Sequence, residues 1–126
     1  MLNLKKNRAD LVNYLYQYDL VGNLDSMLLT DDLETQEILQ SIILDLDNID
    51  DIITENLFNY QIERLGYLDR AIIRLATYEL KNTELNTATI INEAVKMTKQ
   101  YSDLEDERQH KFTNKLLDNI SKFLRG

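Results

Sequence analysis

Residues 67–81, YLDRAIIRLATYELK, decide the fold. Their apolar positions, Leu68, Ala71, Ile72, Ile73, Leu75, Ala76, Tyr78 and Leu80, recur at three- and four-residue spacing and cover most of a helix circumference. A helix that is apolar on nearly all sides has to be surrounded. This segment is therefore expected at the centre of a helical protein, with Gly66 before it and KNTELN (81–86) closing it.

The rest of the chain supplies what surrounds it. No proline and only three glycines interrupt the sequence, and the apolar residues keep helical spacing throughout. A first helix is predicted over Leu4 to Leu20, with Leu4, Leu11, Leu15 and Tyr18 on one face and Gly22-Asn23 ending it. A short amphipathic piece is expected around Leu24 to Leu29. A long acidic helical stretch follows from about Asp32 to Asn59, with Ile38, Ile42, Ile49, Ile52 and Ile53 inward; DLDNIDD (45–51) is where it would kink, because Asp and Asn compete for backbone hydrogen bonds. Beyond the central segment, Asn86 is the expected cap of a helix whose Ile90, Ala94, Met97 and Tyr101 share a face. Ser102 and Glu105 have capping-box spacing, although SDLEDERQ (102–109) also reads as a polar loop. The last helix places Phe112, Leu116, Ile120 and Phe123 towards the core. The expectation is an all-α, compact single-domain bundle of five to seven helices spanning residues 1–126.

Composition excludes several functions. With 126 residues, 44% of them apolar, the chain can bury one core. No stretch is apolar and long enough for a membrane span and the N-terminus lacks the apolar stretch of a signal peptide, so a cytoplasmic protein without membrane partners is expected. Without cysteine there are no disulfides, thiolate nucleophiles or thiolate metal sites. His110 is the only histidine, Ser26, Ser41, Ser102 and Ser121 have no adjacent base, and no glycine-rich phosphate loop occurs. Neighbouring acids such as Asp50 and Asp51 point about 100° apart on a helix and read as a solvated acidic face. The chain is expected to bind rather than catalyse, with no catalytic residues, no metal and no cofactor.

Charge gives the more specific signal. The net charge is −8, yet residues 1–8 hold three cations and no acid, residues 9–63 hold thirteen acids and no Lys or Arg, and residues 64–126 hold eleven cations against nine acids. Such segregation suggests a polyanion-binding surface opposite an acidic one; chance composition is the alternative. On the last helix Arg108, Lys111, Lys115 and Lys122 fall within roughly 60° of one another, and Phe112 sits beside them at the edge of the apolar face. An aromatic ring next to a row of cations suits single-stranded RNA: an unpaired base stacks while the cations neutralise phosphates. A core phenylalanine beside an ordinary lysine face fits the same wheel. Lys5, Lys6 and Arg8, at a helix N-terminus, read either as cations following a phosphate backbone or as a solubilising tail.

LGYLDRAIIRLATYEL (65–80), INEAV (91–95) and HKFTNKLLDNI (110–120), in that order, resemble the signature of the NusB family, and NRADLVNYLYQYDL (7–20) is similar to its first helix. The resemblance covers nearly the whole chain and is weakest from Val21 to Glu34. It implies an all-helical RNA-binding protein of transcription antitermination on ribosomal RNA operons. Such a protein binds boxA-like single-stranded RNA together with the small-subunit ribosomal protein acting as NusE, within the transcription elongation complex. By the same resemblance Lys5, Lys6 and Arg8 match a basic run associated with RNA, and Lys111 and Phe112 match a His-Lys-Phe motif associated with RNA. Tyr16 and Asp69 match positions on the partner-facing surface. With Arg108 and Lys115 from the wheel, the cations of both ends are expected to converge beside the Phe112 ring.

The sequence also departs from the family pattern. The basic run is poorer in arginine, Asn86 and Thr87 stand where a Pro-Tyr pair is usual, and Ala88 replaces a cation. The loop before His110 is longer and more acidic, and Lys115 stands where glycine is usual. Alternative roles that keep the fold are a stand-alone module in ribosomal RNA maturation, since similar domains occur fused to RNA cytosine methyltransferases, and a protein-only interaction module. No α/β cofactor domain follows Gly126 in this sequence, so the fused arrangement is not expected.

Overall fold

Ala71, Ile72 and Ile73 are completely buried, and the helix that carries them runs through the middle of the molecule as the sequence predicts. A computed structural model describes residues 4–23, 32–58, 60–101 and 107–126. Its elements in chain order are α1 (Leu4–Val21), α2 (Leu33–Leu44), α3 (Leu46–Glu55), a 3-10 turn (Ile62–Arg64), α4 (Tyr67–Asn82), α5 (Thr87–Tyr101) and α6 (Arg108–Arg125). No strand occurs among the described residues. The piece expected at Leu24 to Leu29 and the Ser102/Glu105 capping box lie outside them, as does Asn59.

Helix ends follow local chemistry. Gly22 has φ +82 and donates its N–H to the Tyr18 carbonyl at 2.9 Å, the left-handed stop that a Cβ would strain. Asp32 caps α2 by accepting from the Glu34 and Thr35 amides at 3.1 and 3.4 Å. The acidic stretch breaks at Asp45, inside the segment expected to kink, and its amide turns back to the Ser41 and Ile42 carbonyls. Asn86 caps α5, its Oδ1 accepting from the Thr89 amide at 3.1 Å.

Helix α4 packs against α1, α3, α5 and α6, while α5 and α6 pair closely with each other. Ile38, Ile42, Ile49 and Ile53 from α2 and α3 are fully buried, as are Leu11 and Leu15 of α1 within a few percent of zero exposure. Two core expectations fail. Tyr101 and Phe123 are 39% and 57% exposed, each near a helix end where, among the described residues, no neighbouring element covers that face.

The acids and cations segregated in the sequence are largely reunited in space. Arg74 of α4 donates to Asp50 Oδ1 and Oδ2 at 2.9 and 2.8 Å and to Asp19 Oδ1 at 2.8 Å, tying α1 and α3 to the central helix. Burial opposes its charge, but the two carboxylates override that and raise its pKa. Lys81 and Asp45 pair at 2.8 Å. Burial pushes the Asp45 carboxyl up, yet the donors Lys81, Asn48 and Asn82 outweigh it and hold it below the ordinary range. Asp50 is thus a structural ion-pair partner and not simply part of a wet acidic face.

At the C-terminal end of α4, Arg125 of α6 donates to the Glu79, Leu80, Thr83 and Leu85 carbonyls at 2.6 to 3.3 Å. Those include the carbonyls that a helix terminus leaves without an internal partner. The contact fixes relative directions. Helix α6 runs parallel to α4, while α1, with Arg8 on Glu79 and Asp19 on Arg74, runs antiparallel to it.

Candidate nucleic-acid interface

Between α3 and α4 the chain crosses to α6, and Tyr60 lands against Phe112 with ring centroids 5.6 Å apart at 48°. Tyr60 is held from its other end, the hydroxyl donating to the Arg64 carbonyl at 3.3 Å. The 3-10 turn behind it is braced in turn by Arg70, whose Nη2 donates to the Glu63 and Leu65 carbonyls at 3.2 and 3.0 Å. A non-helical segment is thereby fixed against two helices.

The result is an open groove of about 410 Å³ lined by Asn56, Phe58, Tyr60, Phe112, Lys115 and Asn119, with Arg108 and Lys111 beside it. Phe112 is half-buried, so one face of the ring packs on the core while the rest faces the groove. Phe58 is 78% exposed at the rim. Lys111 reaches Glu107 at 3.5 Å across exposed surface, and Lys115 has no ion pair among the described residues. Exposed pairs of that spacing contribute little and exchange readily for a phosphate. Lys122 makes a similar exposed pair with Asp118 at 3.0 Å. The arrangement can stack an unpaired ring and neutralise neighbouring anionic groups. Among the described residues no cluster of His, Cys, Asp or Glu is placed to hold a metal ion.

Arg8 is the clear correction. It is 5% exposed and its Nε donates to Glu79 Oε1 and Oε2 at 2.8 and 3.0 Å, inside the protein and not towards a phosphate. Burial pushes the Glu79 carboxyl up in pKa; Arg8 opposes that rise and Glu93 adds to it. The partner lies 71 residues away, where no helical wheel could show it. Nor does Arg8 meet the Phe112 ring. Arg8 faces the last turn of α4, whereas Tyr60 and Phe112 lie by its start, roughly 18 Å away along the helix. Lys5 and Lys6 belong to the first turn of α1, near Arg8; their side chains lie outside the described residues.

The two residues expected on a partner surface are placed differently from one another. Tyr16 is half-buried and packs edge-on to Tyr67 at 6.4 Å, lining a second groove of about 440 Å³ with Asn13, Leu68 and Tyr101. Asp69 is buried, 9% exposed, in the first turn of α4 and does not line that groove. Sequence reasoning missed Tyr60, Phe58, Asn56 and Asn119. The sequence reading carried the acidic helix on to Asn59, whereas α3 ends at Glu55 and leaves Phe58 and Tyr60 in the connection that follows; contact between Tyr60 and Phe112, 52 positions apart, was not readable from periodicity.

Fold and groove together define an all-α protein whose cationic helix flanks an aromatic cleft. The NusB family profile matches residues 5–122. The chain belongs to the NusB family. Transcription antitermination protein NusB of a Nitratiruptor species is 36% identical over 127 residues, covering 91% of this chain and 88% of its own. The protein of the same name from Sulfurimonas denitrificans is 37% identical, covering 91% and 93% respectively. Among solved structures, T. maritima NusB superposes with a TM-score of 0.79 at 27% identity, covering 95% of this chain and 91% of its own. A chain from "Crystal Structure of a Plectonemic RNA Supercoil" superposes at 0.72 with 27% identity, covering 91% of this chain and 89% of its own.

Proposed function

We propose that this protein is a non-enzymatic transcription antitermination factor that holds boxA-like single-stranded RNA of ribosomal RNA operons, together with the small-subunit ribosomal protein acting as NusE, in the elongation complex. Residues 1–126 act as one unit, in the cytoplasm; among the described residues no helix is long and apolar enough to cross a membrane. Family membership supports the process, and the name of its relatives is that of an antitermination protein.

The observation that carries RNA binding is the groove where Phe112 meets Tyr60 beside Lys111 and Lys115. A base stacked there contributes about 1–3 kcal/mol, and each phosphate met adds a log-log salt slope near 0.7. Arg108, Lys111, Lys115 and Lys122 supply the phosphate contacts on α6, and Lys5 and Lys6 add to them at the start of α1. Arg8 is excluded from this set by its burial against Glu79. The C-terminal end of α6 and the start of α1 both approach Glu79, so a strand leaving the groove along α6 heads towards Lys5 and Lys6. Tyr16, in its groove between α1, α4 and α5, is the stronger partner contact; Asp69, buried in the first turn of α4 and outside that groove, is the weaker one.

The test is a titration of boxA-like against scrambled single-stranded RNA, with and without the ribosomal protein, at several salt concentrations. Preference for the boxA-like strand, enhanced by the ribosomal protein and weakened by salt, is expected. No change in RNA mobility under any of these conditions at low salt would leave only a protein-interaction role.

A further inference from the structure

The exposed Phe123 is an aromatic ring that the core does not use. On α6, Phe112, Asn119 and Phe123 are spaced by seven and four residues, two turns and then one, so they fall within about 40° along one edge of the helix. Arg108, Lys111, Lys115 and Lys122 form a row on one flank of that line, and Leu116 and Ile120 pack into the core on the other. Phe123 is 57% exposed with Lys122 beside it. Asn119 lines the groove, and its side-chain amide has no hydrogen-bond partner among the described residues.

Resting on the RNA-binding reading above, we propose that α6 is a linear track for single-stranded RNA, with Phe123 as a second base-stacking ring and Asn119 as the group that reads a base edge between the two rings. Eleven residues of helix separate Phe112 from Phe123 by about 16 Å. At about 3.4 Å per stacked base, that distance spans roughly five nucleotides. Cations on one flank meet the phosphates while the bases turn onto the aromatic edge, the division of labour that single strands require. The amide of Asn119 presents a donating NH2 group beside an accepting carbonyl oxygen, which suits the polar edge of an unpaired base. Charge complementarity selects the occupant: a row of four cations beside two rings fits a polyanion with flat apolar faces, and does not fit a lipid surface or an acidic peptide that lacks rings to stack.

The experiment measures binding of single-stranded RNAs from about 3 to 12 nucleotides to the parent, Phe123→Ala, Asn119→Ala and Phe112→Ala, with melting temperature as a folding control. For the parent, affinity steps up once the strand is long enough to reach both rings, beyond about 5 nucleotides. Phe123→Ala removes about tenfold of that step while binding the shortest strands as the parent does. Phe112→Ala weakens every length. Asn119→Ala lowers discrimination between bases at one position by about fivefold or more, with little loss on the least preferred base. Identical length profiles for Phe123→Ala and the parent, while Phe112→Ala still weakens binding, would overturn the track and leave the RNA-binding function standing. If Phe123→Ala instead impairs only association with the ribosomal protein, the ring belongs to a protein contact and the track is wrong. Absence of RNA binding by the parent at all lengths, with or without the ribosomal protein, removes both.

Discussion

The two charged regions of this molecule make opposite use of their cations. Around α4, Arg8, Arg70 and Arg74 are enclosed and each faces a carboxylate: Glu79, Asp19, or Asp19 and Asp50. Along α6, Lys111, Lys115 and Lys122 stand in water with weak exposed partners or none among the described residues. A buried guanidinium needs several directed bonds to offset lost hydration, and its planar fork supplies them; an exposed ammonium keeps its water until an anion displaces it. A cation is therefore structural where the protein completes its partners, and available for a ligand where it does not.

The contrast is most sharply broken at Glu79. Replacing it by Ala leaves Arg8 enclosed and unpaired, and a loss of about 3–5 kcal/mol in urea unfolding is expected. A loss below about 1 kcal/mol would mean that Arg8 rotates out to solvent and belongs with the α6 cations after all. Arg125→Ala comes next. It strips the α4 terminus and the α4–α5 turn of several carbonyl contacts, and about 1–2 kcal/mol is expected from the same measurement.

Phe112→Ala sits between the two regions. A fully enclosed phenylalanine would cost about 3–5 kcal/mol, whereas a ring with one face in the groove should cost about 1–2 kcal/mol and weaken RNA binding by about 1–3 kcal/mol. Parallel melts and titrations separate these outcomes.

Asp45→Asn tests an intermediate, partly exposed pair through pH. Because the folded carboxyl is held below its ordinary range, its contribution is complete above the unfolded Asp pKa, near 3.9, and disappears as pH falls through the folded value. The melting gap between parent and variant should be small at pH 7 and close below about pH 4; a gap that widens in acid would contradict the assignment. The double change Lys111→Ala with Lys115→Ala has the least effect on stability, within about 0.5 kcal/mol. It should reduce the log-log salt slope of RNA binding by about 1.4, two single-strand phosphate contacts. An unaltered slope would remove both lysines from the interface.

Much of this architecture was readable along the chain. The stop at Gly22, the break near Asp45, the cap at Asn86 and the enclosed α4 all depend on neighbours within a turn or two, and each is where local chemistry puts it. Phe112 at the edge of an apolar face was readable for the same reason. Tyr101 and Phe123 escape such reasoning because periodicity states which face a residue occupies and not whether another element reaches far enough to cover it.

By itself the sequence determined most of the helices, their order and the cationic row on α6, since these follow from a repeat of 3.6 residues and from caps that act over three or four positions; it overran the end of α3 at Glu55. Only the tertiary structure decided which charges are spent on one another. Glu79 claims Arg8 across 71 positions, and Tyr60 closes a groove on Phe112 from another part of the chain. The physical reason is that desolvation and Coulomb attraction depend on distance in space, which helical periodicity does not encode between segments.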